Sequence, residues 1–504
     1  MTSKKSFFCF SLLLLCILGC ILLLRKRPAE SLQSSNDDRQ CVITHHTANI
    51  NGSRLSYTVT AGETYIYDLN GNPTASIYSY AYVKSSEEVS RPVVFVFNGG
   101  PGSSSLWTQL GIGTYCISPL NGELIYSQNG SWSLSENQNS ILDVADLVFI
   151  DPVGTGYSHA VGNASDSDFY NVSADADSIA RFIRQWVNEH NRWSSPKYLM
   201  GESYGCTRAA VLADALMGGP TSSSGELTAI PIDGIIMMGV SLQNDSTVDE
   251  LLSDALALPS MASAAWYYQK SESQSSSLEE VYEEAKQYAE DIYYPALQKE
   301  QAGTLSMEEK TSVIQKLCGF TGLSKDTFED SLMLDTGTFS ENLLSGDGQT
   351  IGIYDARYTL LSEGSQSEPV ADDPAMSQYA PAFISGFQEL LKSKLRAAQE
   401  RPYNALVWKN LNLQWDYEEN RLIPSQGYEY DLAAAMRRNP SMRLFVASGY
   451  YDLATPAALA EHIIANAPID SARVNVKRYA SGHMIYIGSA KDTFLNDLRA
   501  FLDQ

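Results

Sequence analysis

The chain has 504 residues, of which 44% are hydrophobic and 19% are charged, a composition typical of a globular protein too long for one small core. Its formal net charge of −24 at pH 7 argues against nucleic acid and anionic membrane surfaces as partners, because both call for clusters of Lys and Arg. We therefore expect one large domain with insertions, or roughly two to three domains.

The chain begins with an uninterrupted apolar run over residues 7–24, preceded by Lys4 and Lys5. A basic stretch followed by an apolar one is typical of a segment that targets a membrane. No small-x-small cleavage site follows, and basic residues at 25–27 close the run. We therefore favour an uncleaved anchor or a plain signal peptide for residues 1–27 over a lipoprotein signal with Cys20 as the lipidated residue. Residues 28–46 are polar and lack periodicity, so we interpret them as a linker in a protein that acts outside the cytoplasm.

Four cysteines lie outside the apolar run, namely Cys41, Cys116, Cys206 and Cys318. Their spacing selects none of the three possible pairings, and we expect Cys206 to be a buried free thiol. No C-x-x-C or H-E-x-x-H motif indicates a metal site, and we predict no cofactor.

Residues 47–242 alternate between strand and helix patterns. After antiparallel strands between residues 54 and 83, continuous apolar runs at 93–97, 146–150, 197–200 and 234–240 predict strands buried on both faces. A helix with one apolar stripe is predicted over 174–191, and a second follows residue 206. This order predicts an α/β fold around a doubly wound, mostly parallel sheet.

The pattern changes between residues 243 and 401, where polar helical stretches dominate and 351–354 is the single short strand pattern. We interpret this region as an inserted, mainly helical cap. Residues 402–504 return to the sheet with strand patterns at 443–452 and 473–479, a helix at 456–466 and a closing helix.

The pentapeptide at 201–205 fits the nucleophile elbow G-x-S-x-G, in which a serine lies on a sharp turn between a strand and a helix. Ser203 needs a base, which in this arrangement is a histidine that follows the serine and a carboxylate in the chain. Two histidines follow Ser203. His462 lies within a predicted helix, whereas His483 follows a strand in a loop, so we favour His483.

The candidate acids are Asp452, at the carboxyl end of a long buried strand, and Asp355, within the predicted cap. We favour Asp452, because the partners of the serine belong to loops at the carboxyl ends of the strands. The backbone N–H of Tyr204 and a glycine of the loop that begins Asn98-Gly99-Gly100 are the candidate donors to an oxyanion. The competing interpretation of this loop as a phosphate site fails, because it lacks the G-x-G-x-x-G spacing and a G-K-[ST] lysine.

Taken together, the motifs at 98–105, 151–158 and 201–205, the Asp452 segment and Gly482-His483-Met484 resemble the serine carboxypeptidases (peptidase family S10), the family of carboxypeptidase Y and cathepsin A. The resemblance implies an α/β-hydrolase fold, a triad of Ser203, Asp452 and His483, and an oxyanion hole from the N–H groups of Gly100 and Tyr204. It also implies that Asn98, Gly99 and Glu202 receive the free C-terminal carboxylate of a peptide substrate. A protonated Glu202 can donate a hydrogen bond to that carboxylate, which favours binding at acidic pH.

Two departures accompany the resemblance. Ser103 stands where eukaryotic members have a cysteine, and the segment 106–111 lacks the glutamate that supports carboxylate recognition in them. The Gly-Gly-Pro-Gly-Ser-Ser-Ser form is more similar to the bacterial branch.

The alternatives to a carboxypeptidase are an esterase or acyltransferase with the same triad, and a catalytically silent, surface-anchored binding protein. Without the resemblance, the alternative role for Glu202 is that of a structural hydrogen-bond acceptor beside the elbow. The sequence does not indicate an oligomeric state.

Overall fold

The computed structural model describes residues 41–86, 90–119, 132–219, 226–242, 249–273, 275, 277–362, 368–417 and 427–503. The predicted anchor or signal at 1–27, with Cys20, lies outside the described residues. Within the described ranges, no helix is both long enough and apolar enough to cross a membrane.

The described chain contains fourteen β-strands. They are β1 Cys41–Ile50, β2 Ser53–Tyr67, β3 Pro73–Lys84, β4 Val93–Phe97, β5 Tyr115–Pro119, β6 Trp132–Glu136, β7 Asp146–Ile150, β8 His159–Ala160, β9 Lys197–Ser203, β10 Gly234–Val240, β11 Gln349–Ile351, β12 Thr359–Leu361, β13 Arg443–Gly449 and β14 Val474–Tyr479. Ten of them form one sheet in the order β1-β2-β3-β7-β4-β9-β10-β13-β14, with β8 paired to β3. β5 pairs with β6 and β11 pairs with β12 in two separate hairpin-like sheets.

The sheet is antiparallel at one edge and parallel across the rest. β1, β2, β3 and β7 pair antiparallel, whereas β7, β4, β9, β10, β13 and β14 pair parallel in that order. The parallel strands β4, β7 and β10 are buried at every residue, as their continuous apolar sequences predict. The prediction of a doubly wound, mostly parallel sheet is confirmed.

Twelve α-helices accompany the strands in the described residues. They are α1 Leu106–Ile112, α2 Val172–Glu189, α3 Tyr204–Leu216, α4 Glu250–Tyr267, α5 Leu278–Tyr288, α6 Tyr294–Gln301, α7 Met307–Thr321, α8 Thr336–Asn342, α9 Met376–Glu389, α10 Glu429–Arg438, α11 Ala457–Asn466 and α12 Ala490–Leu502.

Helices cover both faces of the sheet. Along β4, Val94 and Val96 belong to the apolar cluster shared with α1, α9 and α12, whereas Phe95 and Phe97 belong to the cluster shared with α2, α3 and α10. This division follows from the alternation of side chains along a strand, which sends successive residues to opposite faces. The two clusters are the cores on either side of the sheet.

The chain between β10 and β13 contributes a third apolar cluster, formed by α4 to α8 together with Tyr450, Tyr451 and Leu453 after β13. The described part of this region is mainly helical, with the two short strands β11 and β12. Its predicted limits at residues 243 and 401 stay a prediction.

The predicted linker at 28–46 is wrong over its last six residues. Residues 41–46 are part of β1 and pair with β2, from Cys41 opposite Gly62 to His46 opposite Tyr57. Only Ala48 and Ile50 of this edge strand are buried, so its sequence carries little of the apolar alternation that identifies a strand.

Candidate active site

Ser203 lies where β9 ends and α3 begins, at φ 59° and ψ −128°. This left-handed φ is strained for a residue with a side chain. The flanking glycines are required by space, because a Cβ on Gly201 would lie 2.0 Å from the carbonyl oxygen of Gly205, and one on Gly205 would lie 3.0 Å from that of Phe97. The structure therefore places Ser203 on the strand, turn and helix predicted for a nucleophile elbow.

His483 and Asp452 meet at the same end of the sheet. Asp452 follows β13, His483 follows β14, and 2.9 Å separates the histidine Nδ1 from the carboxylate Oδ2. Both are buried. Burial lowers the pKa of the His483 imidazole, but the Asp452 carboxylate, with smaller effects from Glu202 and Asp373, raises it by more, so the pKa lies above its ordinary value. The pair is arranged to accept a proton at the opposite ring nitrogen, Nε2.

Three donors hold the Asp452 carboxylate in place. The backbone N–H groups of Ala454 and Thr455 each donate to Oδ1 over 2.9 Å, and the Thr455 hydroxyl donates to Oδ2 over 2.7 Å. The same hydroxyl oxygen is 3.1 Å from His483 Nδ1. Thr455 was not predicted, although a threonine three residues after an aspartate at the end of a strand is a recognisable turn signal.

Asp355 and His462, the other candidates for the acid and the base, make different contacts. Asp355 pairs with Arg357, with 2.6 Å between Oδ2 and Nη2, and accepts from the Tyr379 hydroxyl over 3.1 Å. His462 lies within α11, as its sequence context predicts. Of the two candidate acids, Asp452 is the one in contact with His483.

A segment between β11 and β12 joins the loops that carry Asp452 and His483. The carbonyl oxygen of Tyr354 accepts from the His483 N–H over 2.7 Å, and that of Ile353 accepts from the Leu453 N–H over 3.0 Å. The Ala356 N–H donates to the Tyr451 carbonyl over 3.0 Å. These backbone hydrogen bonds fix the positions of the two loops relative to each other. No local sequence pattern predicts them.

The loop after β4 lies directly on the backbone of the elbow. A Cβ on Gly99 would lie 2.5 Å from the backbone nitrogen of Tyr204 and 2.5 Å from the carbonyl oxygen of Glu202. Gly100 has φ 104°, which glycine adopts readily. Glycine at both positions thus brings the N–H groups of this loop close to that of Tyr204, as an oxyanion hole requires.

One cavity contains most of the predicted site residues. Its lining includes the predicted residues Asn98, Gly99, Gly100, Glu202, Ser203 and His483. Trp107 and Met484 also line it, as do Tyr354 and Trp408, which were not predicted to be site residues. The ring contacts of His483 with Asp452 and Thr455 are both at Nδ1. A catalytic hydrogen bond from a serine to the opposite nitrogen often tightens only when substrate binds.

Glu202 is a buried carboxyl next to Ser203 in the chain. Its Oε1 accepts from the Asn98 amide over 2.8 Å, and Asn98 Oδ1 in turn accepts from the Thr108 hydroxyl over 2.8 Å. Burial is the main cause that raises the Glu202 pKa to about 7, against opposing effects of His483, the Tyr486 hydroxyl and Asn98. Tyr486 is close enough to act on this pKa, although in the described structure neither its hydroxyl nor Glu202 Oε2 has a hydrogen-bond partner of good geometry.

Neither a metal cluster nor a disulfide appears in the described part of the chain. No group of three or more His, Cys, Asp or Glu side chains is placed to hold a metal ion in the described ranges. All four described cysteines are free, and Cys206 is buried with a pKa raised by burial to about 12.

Comparison with known proteins agrees with this geometry. Residues 60–483 match the model of the family described as serine carboxypeptidase. The chain is 30% identical over 142 residues to serine carboxypeptidase S10 family member 1 of Dictyostelium discoideum, an alignment covering 27% of this chain and 31% of the relative. It is 32% identical over 152 residues to serine carboxypeptidase-like 33 of Arabidopsis thaliana, covering 30% of each chain. These alignments span about a third of the length of the curated relatives.

Among solved structures, the chain is similar to Kex1Δp, a prohormone-processing carboxypeptidase from Saccharomyces cerevisiae. The TM-score is 0.52 at 13% sequence identity, and the match covers 89% of this chain and 90% of that one. At this identity the likeness concerns the fold alone, and it agrees with the predicted α/β-hydrolase class. Because the family model matches most of the sequence, the chain belongs to the serine carboxypeptidase family.

Proposed function

We propose that this protein is a serine-type carboxypeptidase that releases C-terminal amino acids from peptides through an acyl-enzyme. The observation that carries the proposal is the cavity that contains both Ser203 with His483 and the buried pair Glu202 and Asn98. The first pair supplies acyl-transfer chemistry, and the second supplies groups able to recognise a carboxylate.

In the proposed reaction, Ser203 attacks the last peptide carbonyl while His483 Nε2 takes its proton, and Asp452 stabilises the imidazolium. The N–H groups of Gly100 and Tyr204 hold the oxyanion. His483 then protonates the leaving amine, and water enters to release the acyl group by the same steps in reverse order.

The substrate's free carboxylate would lie against Asn98, the Gly99 N–H and the protonated Glu202. A carboxyl with a pKa of about 7 is mostly neutral in mildly acidic solution, where Oε2 can donate to an anion. The position of Glu202 in the cavity lining, bonded to Asn98 and close to Ser203, supports this role over that of a simple structural acceptor.

The wider organisation forms part of the same proposal. Residues 41–242 and 402–504 build the catalytic core, residues 243–401 form an inserted cap, and residues 1–27 direct the protein out of the cytoplasm as a signal or anchor. The resemblance to the bacterial branch stays a prediction.

Labelling with a fluorophosphonate tests the nucleophile. We expect one stoichiometric adduct, mapped by mass spectrometry to the peptide that contains Ser203, and none in Ser203→Ala. A folded sample that does not label would favour the binding-protein alternative. Labelling combined with ester turnover and no release of amino acids would favour an esterase or acyltransferase.

A further inference from the structure

Arg208 is a buried cation of α3 whose side chain is only 1% exposed. Its Nε is 2.6 Å from Oδ2 of the equally buried Asp175. Its Nη1 donates a short hydrogen bond to the backbone carbonyl of Asn98. The guanidinium also lies over the rings of Tyr204 and Phe97, at 5.1 Å and 5.5 Å from their centroids. Arg208 thus connects the helix that follows the nucleophile to the loop that follows β4.

The contact with the Asn98 carbonyl has a directional consequence for Gly99. A trans peptide group is planar, so the N–H of Gly99 points opposite to the C=O of Asn98. By fixing that carbonyl on its own side, Arg208 also fixes the direction of the Gly99 N–H. Gly99 lines the cavity that contains Ser203 and Glu202.

The next peptide group has a different support. The carbonyl oxygen of Gly99 accepts from the Ser103 N–H over 3.0 Å, which fixes the opposite direction of the Gly100 N–H in the same way. The two N–H groups of this loop are therefore held independently, one through an arginine side chain and the other through the loop's own backbone.

We propose that Arg208 is a positioning residue for recognition of the substrate carboxylate. It holds the peptide between Asn98 and Gly99 so that the Gly99 N–H is directed at the carboxylate, whereas the oxyanion donor Gly100 depends on Ser103. This inference rests on the proposed function, because it assigns the carboxylate to the Gly99 N–H. The guanidinium suits the task because its rigid fork binds Asp175 and the carbonyl at once, which a lysine ammonium does less well.

The consequence is a separation of two properties. Loss of the Arg208 contact should weaken binding of ligands with a free carboxylate and spare acyl transfer. A purely structural ion pair would instead change both properties together, or neither.

Protection against fluorophosphonate labelling measures this separation. The concentration of an N-blocked dipeptide that halves the labelling rate is compared with that of its C-terminal amide, at pH 5. The variant Asp175→Asn/Arg208→Met removes both charges, so neither is left buried without its partner. The dipeptide's advantage over the amide is the ratio of the amide's half-protecting concentration to that of the dipeptide. We expect this ratio to fall about tenfold or more, with the labelling rate itself within about threefold of wild type.

If the double variant does not fold, Arg208→Lys is the second variant, because it keeps the charge opposite Asp175. We expect it too to lower the dipeptide's advantage over the amide. The matched control is Asp143→Asn/Arg499→Met. Arg499 likewise pairs with an aspartate, over 2.8 Å, and donates to the carbonyls of Asn139 and Ser140, but it lies on α12 beside the segment that precedes β7. The dipeptide's advantage should be unchanged in this control.

Two results overturn separate parts of the account. If folded Arg208 variants keep the wild-type advantage of dipeptide over amide, or lose labelling and protection to the same extent, the positioning role is wrong. If the wild-type protein labels but shows no preference for the free carboxylate, the proposed carboxypeptidase function is wrong instead.

Discussion

Replacing Glu202 with glutamine should remove the pH dependence of peptide recognition while leaving acyl transfer intact. Glu202 has a pKa of about 7, raised mainly by burial, and it lines the cavity that contains Ser203. Only the protonated carboxyl can donate to a substrate carboxylate. Peptide recognition should therefore be complete below pH 6 and decline as the pH rises through 7. The glutamine amide donates at every pH.

The expected size follows from the protonated fraction. With a pKa of about 7, roughly 99% of the carboxyl is protonated at pH 5 and roughly 9% at pH 8. The contribution of Glu202 to kcat/KM for a free-carboxylate substrate should thus fall about tenfold between these values. In Glu202→Gln the same contribution should be constant.

The assay compares kcat/KM for an N-blocked dipeptide with kcat/KM for an N-blocked amino acid ester, which has no free carboxylate. The ratio of the two is measured from pH 5 to pH 8. His483 must be neutral to act as a base, and its raised pKa makes both rates increase with pH, so the ratio cancels this effect. A flat ratio in the wild-type protein, or an unchanged slope in Glu202→Gln, would show that Glu202 does not donate to the substrate carboxylate.

The same carboxyl affects stability, with a sign that can be checked. Its pKa rises from 4.5 in the unfolded chain to about 7 in the folded protein, so its stabilising contribution is complete below pH 4.5 and is lost as the pH rises through 7. The loss amounts to about 3 kcal/mol. In urea unfolding, the free energy of unfolding of Glu202→Gln relative to that of wild type should therefore increase by about 3 kcal/mol between pH 4.5 and pH 8.

Three further substitutions test other parts of the site. Gly99→Ala would place a Cβ 2.5 Å from the backbone nitrogen of Tyr204, so we expect the loop to move off the elbow and kcat/KM to fall about a hundredfold, and near wild-type activity would contradict the close approach. Asp355→Ala would leave Arg357 buried without its partner, and urea unfolding should show a loss of about 3–5 kcal/mol; a change below about 1 kcal/mol would show that the pair is not buried as described. Thr455→Val removes the hydroxyl that donates to the Asp452 carboxylate, so kcat should fall about tenfold with KM unchanged, and steady-state kinetics with equal kcat would exclude this support.

The site residues that the sequence predicts are identified by local constraints. Glycine at 201 and 205 is required because any Cβ would meet the backbone, so the elbow is visible in five residues. Asp452 was favoured over Asp355 because it follows a strand buried on both faces, and parallel strands bring their carboxyl ends to one edge of the sheet. Both arguments depend on a few neighbouring residues.

Contacts between segments that are distant in the chain are not predicted by local sequence patterns. Arg208 and Asn98 are 110 residues apart, and the segment at 353–356 reaches the loops of Asp452 and His483 from the other side of a long insertion. The edge strand β1 was missed for a different reason, since its pairing depends on backbone hydrogen bonds with β2 rather than on buried side chains. The raised pKa of Glu202 likewise depends on burial, which arises only when the tertiary structure forms.

Carboxypeptidase activity is tested by the release of free amino acids from an N-blocked dipeptide and from its C-terminal amide at pH 5, by wild type and by Ser203→Ala. We expect release from the dipeptide at a rate well above that from the amide, and none from either substrate with the folded Ser203→Ala variant. Equal cleavage of the amide, or release that survives the loss of the Ser203 hydroxyl, would contradict this expectation.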